Sequence, residues 1–172
     1  MLPQILKCEE YVNADSIAAG LSPFHPENVQ IQAGRLMLER IRYLVARKVD
    51  FAFESTLASR TFINFLLDCK KQGYEVNILF LWLNSVEIEV DRVSDRVKRG
   101  GHDIPHDVIT RRYFRSINNF VMQYIKIADS WFLYDNSDEE SRLIACKKLN
   151  CSLSVLEFNL WQKINLGVKN AK

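Results

Sequence analysis

The chain has 172 residues, 48% of them hydrophobic and 26% charged, with a formal net charge of +2. Those values describe one ordinary globular domain and exclude a whole-molecule electrostatic drive toward nucleic acid or membrane. No apolar run has the length of a membrane span, and the opening MLPQILKCEE lacks the basic and apolar regions of a secretory signal, so the cytoplasm is the expected compartment. Cys8, Cys69, Cys146 and Cys151 form no C-x-x-C pair and match no zinc spacing, so reduced thiols without a metal are expected.

In chain order, Tyr11-Val12-Asn13 reads as the end of a short buried strand, with Asp15 just past it. Residues 20–26, which include Pro23 and Pro26, read as loop. Over residues 27–48 the apolar positions Val29, Ile31, Ala33, Leu36, Met37, Ile41, Leu44 and Val45 recur near helical spacing. Phe51-Ala52-Phe53 predicts a strand that delivers Glu54-Ser55-Thr56. Ser59 suits the cap of the next helix, which runs to Lys71 and is closed by Gly73. Residues 75–83 form the clearest strand, an almost continuous apolar run of the kind buried on both faces of a parallel sheet.

Residues 91–116 concentrate the basic charge. Arg92, Arg96 and Arg99 fall at i, i+4 and i+7, on one face of a predicted helix. Gly100-Gly101 stops that helix, His102 lies in the connection, and Pro105 suits the first turn of a second helix bearing Arg111, Arg112 and Arg115. Two cationic helices about a Gly-Gly hinge predict a lid that closes over phosphates, because guanidinium groups grip phosphate oxygens bidentately. The competing reading is a solvated helix pair whose arginines meet Asp91, Asp95, Asp103 and Asp107.

Trp131-Phe132-Leu133-Tyr134 predicts a further buried strand, stopped by Asp135-Asn136-Ser137. Residues 142–147 and 152–158 predict two strands joined around Leu149-Asn150; a short helix follows from Asn159, and residues 167–172 read as a frayed tail. The alternation predicts an α/β fold: a mostly parallel sheet flanked by helices, ending in a C-terminal β-hairpin plus short helix. One domain is expected over residues 1–172, with the arginine-rich lid at 91–116 and the hairpin and helix at 138–172.

Ligands of such sheets bind beyond the carboxyl ends of the strands. Asp15, Glu54, Thr56, Asn84 and Ser85 follow predicted strand ends. A carboxylate to orient a hydroxyl and cations to offset phosphoryl charge are what phosphoryl transfer requires. Asp15 is the candidate base or hydroxyl-orienting group; the competing role for Asp15, and for Glu54, is capping at a strand–loop junction.

The pattern RVxxRVxxGGHxIPxxVIxRRYxRSxxNF, joined in order by VNADSIAAGLSP, AGRLML, FAFESTLASR, FLWLNS and ADSWFLYDNS over roughly residues 2–137, resembles the zeta-toxin-like family of P-loop kinases. The resemblance implies the P-loop kinase fold, ATP and Mg2+ as cosubstrates, and transfer to a hydroxyl of a small molecule or nucleotide sugar. It also implies an antitoxin protein as partner for relatives that act as toxins. Through the Asn-Ala-Asp match it makes Asp15 catalytic; Glu54 then lies at the acceptor pocket, with Thr56 and Arg60 as further acceptor contacts. Arg92, Arg96, Arg99 and Arg112 are the phosphate candidates.

One departure stands out. The family's phosphate loop, G-x-x-x-x-G-K-[ST], fits no stretch of this chain, and Gly100-Gly101 is followed by His102. The expectation is a fold that lacks the N-terminal strand carrying that loop, a start inside a longer reading frame, and no kinase activity in the chain as it stands. The alternative is a non-catalytic binding module that keeps the acceptor pocket. Nucleic-acid binding through the arginine helices is not expected, since aromatics for base stacking are not interleaved.

Overall fold

The computed structural model describes residues 8–98 and 103–169. Its contacts divide the chain into two compact units, one of Met1–Ser55 with Arg96–Asp103 and one of Thr56–Asp95 with Ile104–Lys172.

The first unit opens with strand β1 (Glu10–Val12) and helix α1 (Ala14–Leu21). A 3-10 turn (Pro26–Val29) leads into helix α2 (Gln30–Ala46), and strand β2 (Phe51–Phe53) follows. β1 and β2 pair in parallel, with Tyr11 opposite Ala52 and Val12 opposite Phe53. Helix α2 buries Ala33, Met37, Ile41, Leu44 and Val45, which share one face at helical spacing; Val12 and Ala18 are the other buried apolar residues among the described residues of this unit. The expected loop is shorter than the sequence suggested. Gly20 and Leu21 belong to α1, because Asn13 caps a helix too short to show clear periodicity.

The second unit begins its regular structure with helix α3 (Thr61–Lys71) and strand β3 (Asn77–Trp82). Helix α4 (Val86–Lys98) contributes its residues through Asp95 to this unit. Helix α5 (His106–Asn119) runs on through a π-helical turn (Phe120–Tyr124) and a last helical turn (Ile125–Ile127). Strands β4 (Ser130–Asp135), β5 (Arg142–Lys147) and β6 (Ser154–Val155) precede helix α6 (Phe158–Lys169). The sheet order is β3-β4-β5-β6, parallel between β3 and β4 and antiparallel thereafter. The fold is therefore α/β with mixed pairing, and the predicted C-terminal hairpin and helix are present. Asn150, at φ 60°, lies between β5 and β6.

Aromatic stacking builds the core of this unit. Phe120 lies parallel to Phe80 at 4.5 Å between centroids and edge-on to Trp131 at 5.8 Å; Trp131 in turn stacks on Trp161 at 5.6 Å. Leu133 and Ile144 close the core from β4 and β5. Two buried polar groups pin the α5 region to the segment before α3: Asn119 donates to the Leu57 carbonyl at 2.8 Å, and the Tyr124 hydroxyl to the Ser59 carbonyl at 2.7 Å.

Four expectations need correction. β3 is not buried on both faces, because successive side chains point to opposite faces and Leu81, between buried Phe80 and Trp82, is 51% exposed. Pro105 is the cap of α5, not its first helical residue. The second hairpin strand is only Ser154–Val155, and α6 continues to Lys169 where a frayed tail was expected. Arg99, Gly100, Gly101 and His102, the expected hinge, lie outside the described residues.

Candidate active site

In the first unit, parallel pairing of β1 and β2 sends Asn13 and Glu54 off adjacent strand ends. The register continues one step past the last pair, where the Glu54 N–H donates to the Val12 carbonyl at 3.4 Å. The Asn13 side chain then joins three places. Its Oδ1 accepts from the Ser16 N–H at 2.9 Å, capping α1; its Nδ2 donates to the Glu54 carboxylate and, at 3.3 Å, to the Tyr11 hydroxyl. Asp15 sits two residues on, in the first turn of α1, where the helix dipole favours a carboxylate. The Arg96 guanidinium approaches Asp15 Oδ2 at 3.7 Å, both groups being largely exposed. Burial pushes the Tyr11 phenol up from its ordinary value; Asn13 counters and Glu54 adds to the rise. The cluster thus holds two carboxylates, an amide, a phenol and a guanidinium on one surface open to solvent.

The second unit holds the remaining described candidates, each with its own surroundings. Thr56 Oγ1 accepts from the Ala58 N–H at 3.4 Å, a turn contact. Arg60 is exposed at the N-cap position of α3 and makes no capping bond with its side chain. Arg92 reaches the turn after β4, where it donates to the Asn136 carbonyl at 2.6 Å. That turn is well tied: buried Asp135 accepts from the Ser137 N–H at 3.0 Å, and Ser137 Oγ accepts from the Asn84 N–H at 2.8 Å. Beside it, Arg92 lines a surface recess of about 640 Å³ with Ser137, Asp138, Glu139 and Glu140, so acids surround the one guanidinium there.

Arg112 faces Glu89 of α4. Burial raises the Glu89 carboxyl above its ordinary value, and the Arg112 charge opposes that rise. Next to them, burial and the charges of Glu89 and Glu87 push the Tyr113 phenol up to about 12, and its hydroxyl donates to the Leu83 carbonyl at 2.7 Å. Arg92 and Arg112 therefore meet protein groups of the second unit, while Arg96 meets Asp15 of the first.

The sequence model of the Zeta toxin family matches residues 13–143, most of the chain and both candidate carboxylates. The chain belongs to the zeta toxin family. An uncharacterized protein of Haemophilus influenzae is 32% identical over 102 residues, covering 59% of this chain and 73% of its own length. A solved chain from the PezAT chromosomal toxin–antitoxin system of Streptococcus pneumoniae is similar in fold, with a TM-score of 0.56 at 14% identity. That likeness covers 93% of this chain and 74% of the other.

Membership in the zeta toxin family implies ATP and Mg2+, and the residues present fit them poorly. No stretch of the 172 residues has the glycine-rich cradle with its lysine and hydroxyl. No three His, Cys, Asp or Glu residues are grouped to hold a metal ion among the described residues. What this chain supplies is the carboxylate cluster. Two of its members, Asn13 and Tyr11, were not singled out from sequence. The legible signal was an Asn followed two residues later by an acid, a pattern of helix starts.

Proposed function

We propose that this chain carries the acceptor side of a zeta-toxin-type phosphotransferase, with Asp15 orienting a substrate hydroxyl and Glu54 holding a neighbouring polar group. The observation behind the reading is a pair of carboxylates just past the ends of adjacent parallel strands, Glu54 bonded to Asn13 and Asp15 two residues beyond Asn13 in the first turn of α1. Ionised carboxylates accept strong hydrogen bonds from hydroxyls, and an exposed pair suits a polyhydroxylated small molecule or nucleotide sugar. Arg96, already beside Asp15, is the first candidate for an acceptor's phosphate; Arg92, Arg99 and Arg112 follow, with Thr56 and Arg60 as further acceptor contacts. The family match spans both compact units, which supports treating them as one functional domain. An antitoxin partner and a cytoplasmic site of action belong to the same reading.

The missing phosphate loop favours a second reading of the same site, a binding module that keeps the acceptor pocket without catalysis. Both readings expect the 172-residue chain to bind UDP-glucose, a representative nucleotide sugar, and to show neither micromolar Mg-ATP binding nor ATP turnover. Isothermal titration measures both ligands. Glu54→Gln and Asp15→Asn should each weaken UDP-glucose about tenfold or more, since a hydrogen bond to a charged group contributes roughly 1.5–3 kcal/mol. Unchanged affinity in both variants rejects the acceptor site, and micromolar Mg-ATP binding with turnover rejects the missing cradle as limiting.

A further inference from the structure

We propose that Asn13 is a positioning residue of this site, whose amide ties the Glu54 carboxylate to the start of the helix bearing Asp15 and so fixes the separation of the two acids. The proposal rests on the acceptor-site reading above. Glu54 follows the last residue of a three-residue strand, is exposed, and has three side-chain torsions to order. Asn13 restrains it from a well-fixed base, because the same side chain caps α1 through Ser16. Both amide hydrogens are used, one on the Glu54 carboxylate and one on the Tyr11 hydroxyl at 3.3 Å.

The chemistry demands an amide at this position. Aspartate would cap the helix equally well, but would face Glu54 with like charge. Serine would also cap, but its hydroxyl lies closer to the backbone and lacks the second donor. A residue selected only as a cap would be replaceable by either; a residue that also orients Glu54 would not. This difference separates the positioning role from a structural one.

The test uses the 172-residue chain and the variants Asn13→Ser, Glu54→Gln and their combination. In nitrogen-15 NMR spectra the Asn13 side-chain amide, assigned by its loss in Asn13→Ser, should exchange slowly with solvent, and Glu54→Gln, whose amide oxygen is a weaker acceptor than a carboxylate, should lessen that protection. Isothermal titration with UDP-glucose should show about tenfold weaker binding in Asn13→Ser, on the scale of one charge-assisted hydrogen bond. The melting temperature should stay constant, and the combined variant should be no weaker than Glu54→Gln alone. An unprotected Asn13 amide overturns the proposal, as does full affinity in Asn13→Ser or additive losses in the combination. If Asn13→Ser keeps full affinity while Glu54→Gln and Asp15→Asn lose it, only the positioning role falls. If all three keep it, or the wild type does not bind, the acceptor reading falls and takes the positioning role with it.

Discussion

Asp15 occupies a place where capping and chemistry favour the same residue type, which is why sequence alone left both roles open. The fold keeps both: the carboxylate sits at the positive end of α1 and also meets Arg96. Because the pair is largely exposed, Arg96→Met should change stability by at most about 1 kcal/mol, read from a urea titration. A larger loss would make Arg96 a structural residue. Lys70 and Asp129 behave differently. Burial opposes ionisation of Asp129, yet hydrogen bonds from Lys70 and the Val76 N–H hold its carboxyl below the ordinary 3.8. Its folded value lies below its unfolded one, so its stabilising contribution is complete above about pH 3.8 and is lost as pH falls through the lowered value. Asp129→Asn should therefore lower the melting temperature at pH 7, and the gap from wild type should close on acidification below pH 3.8. A gap that persists at the lowest pH would deny the carboxylate that role. Asp15 and Glu54 were legible because each follows an apolar strand. The tie from Asn13 to Glu54 was not, because it forms only when β1 and β2 pair.

At the scale of elements, strong local patterns survived and weak ones did not. The predicted strand at residues 51–53 is β2, residues 142–147 are β5, and the long amphipathic stretch became α2 preceded by a 3-10 turn. The eight-residue α1 was missed, and so was the π-helical turn, which no apolar period announces. That turn carries Phe120 and Tyr124, both fully buried, into the core of the second unit. Phe120→Ala should cost about 3–5 kcal/mol of stability, as large-to-small changes at packed aromatics do. Tyr124→Phe should cost only about 1 kcal/mol, the net worth of its single hydrogen bond to the Ser59 carbonyl. Urea titrations of the two variants give the comparison; equal losses would mean that Phe120 does not anchor the turn. The basic lid reads differently once partners are visible. The arginine spacing on α4 was legible, but that Arg92 spends its guanidinium on the Asn136 carbonyl depends on a strand end far away in sequence.

On the scale of the whole molecule, contacts group the chain into two compact units, and the family match runs through both. Trp82, Trp131 and Trp161 all belong to the second unit, and seven buried apolar residues, Val12 to Val45, make the core of the first. Tryptophan fluorescence therefore reports the second unit alone, whereas far-ultraviolet circular dichroism also reports α1 and α2. In urea the circular dichroism signal should begin to fall before the fluorescence does, because the first unit rests on a three-residue parallel pair and one helix face. Coincident curves would show that the units unfold as one. The division into units was invisible in the sequence because it depends on which segments pack together. The lateral boundary of the second unit's sheet has a practical outcome. Along β3 the backbone groups on the side away from β4 meet no other strand among the described residues, and Leu81 of the same strand is exposed on one face. Concentrated solutions should accordingly scatter light through strand-to-strand association of separate molecules, and Leu81→Lys should keep the protein dispersed at concentrations where the wild type clouds.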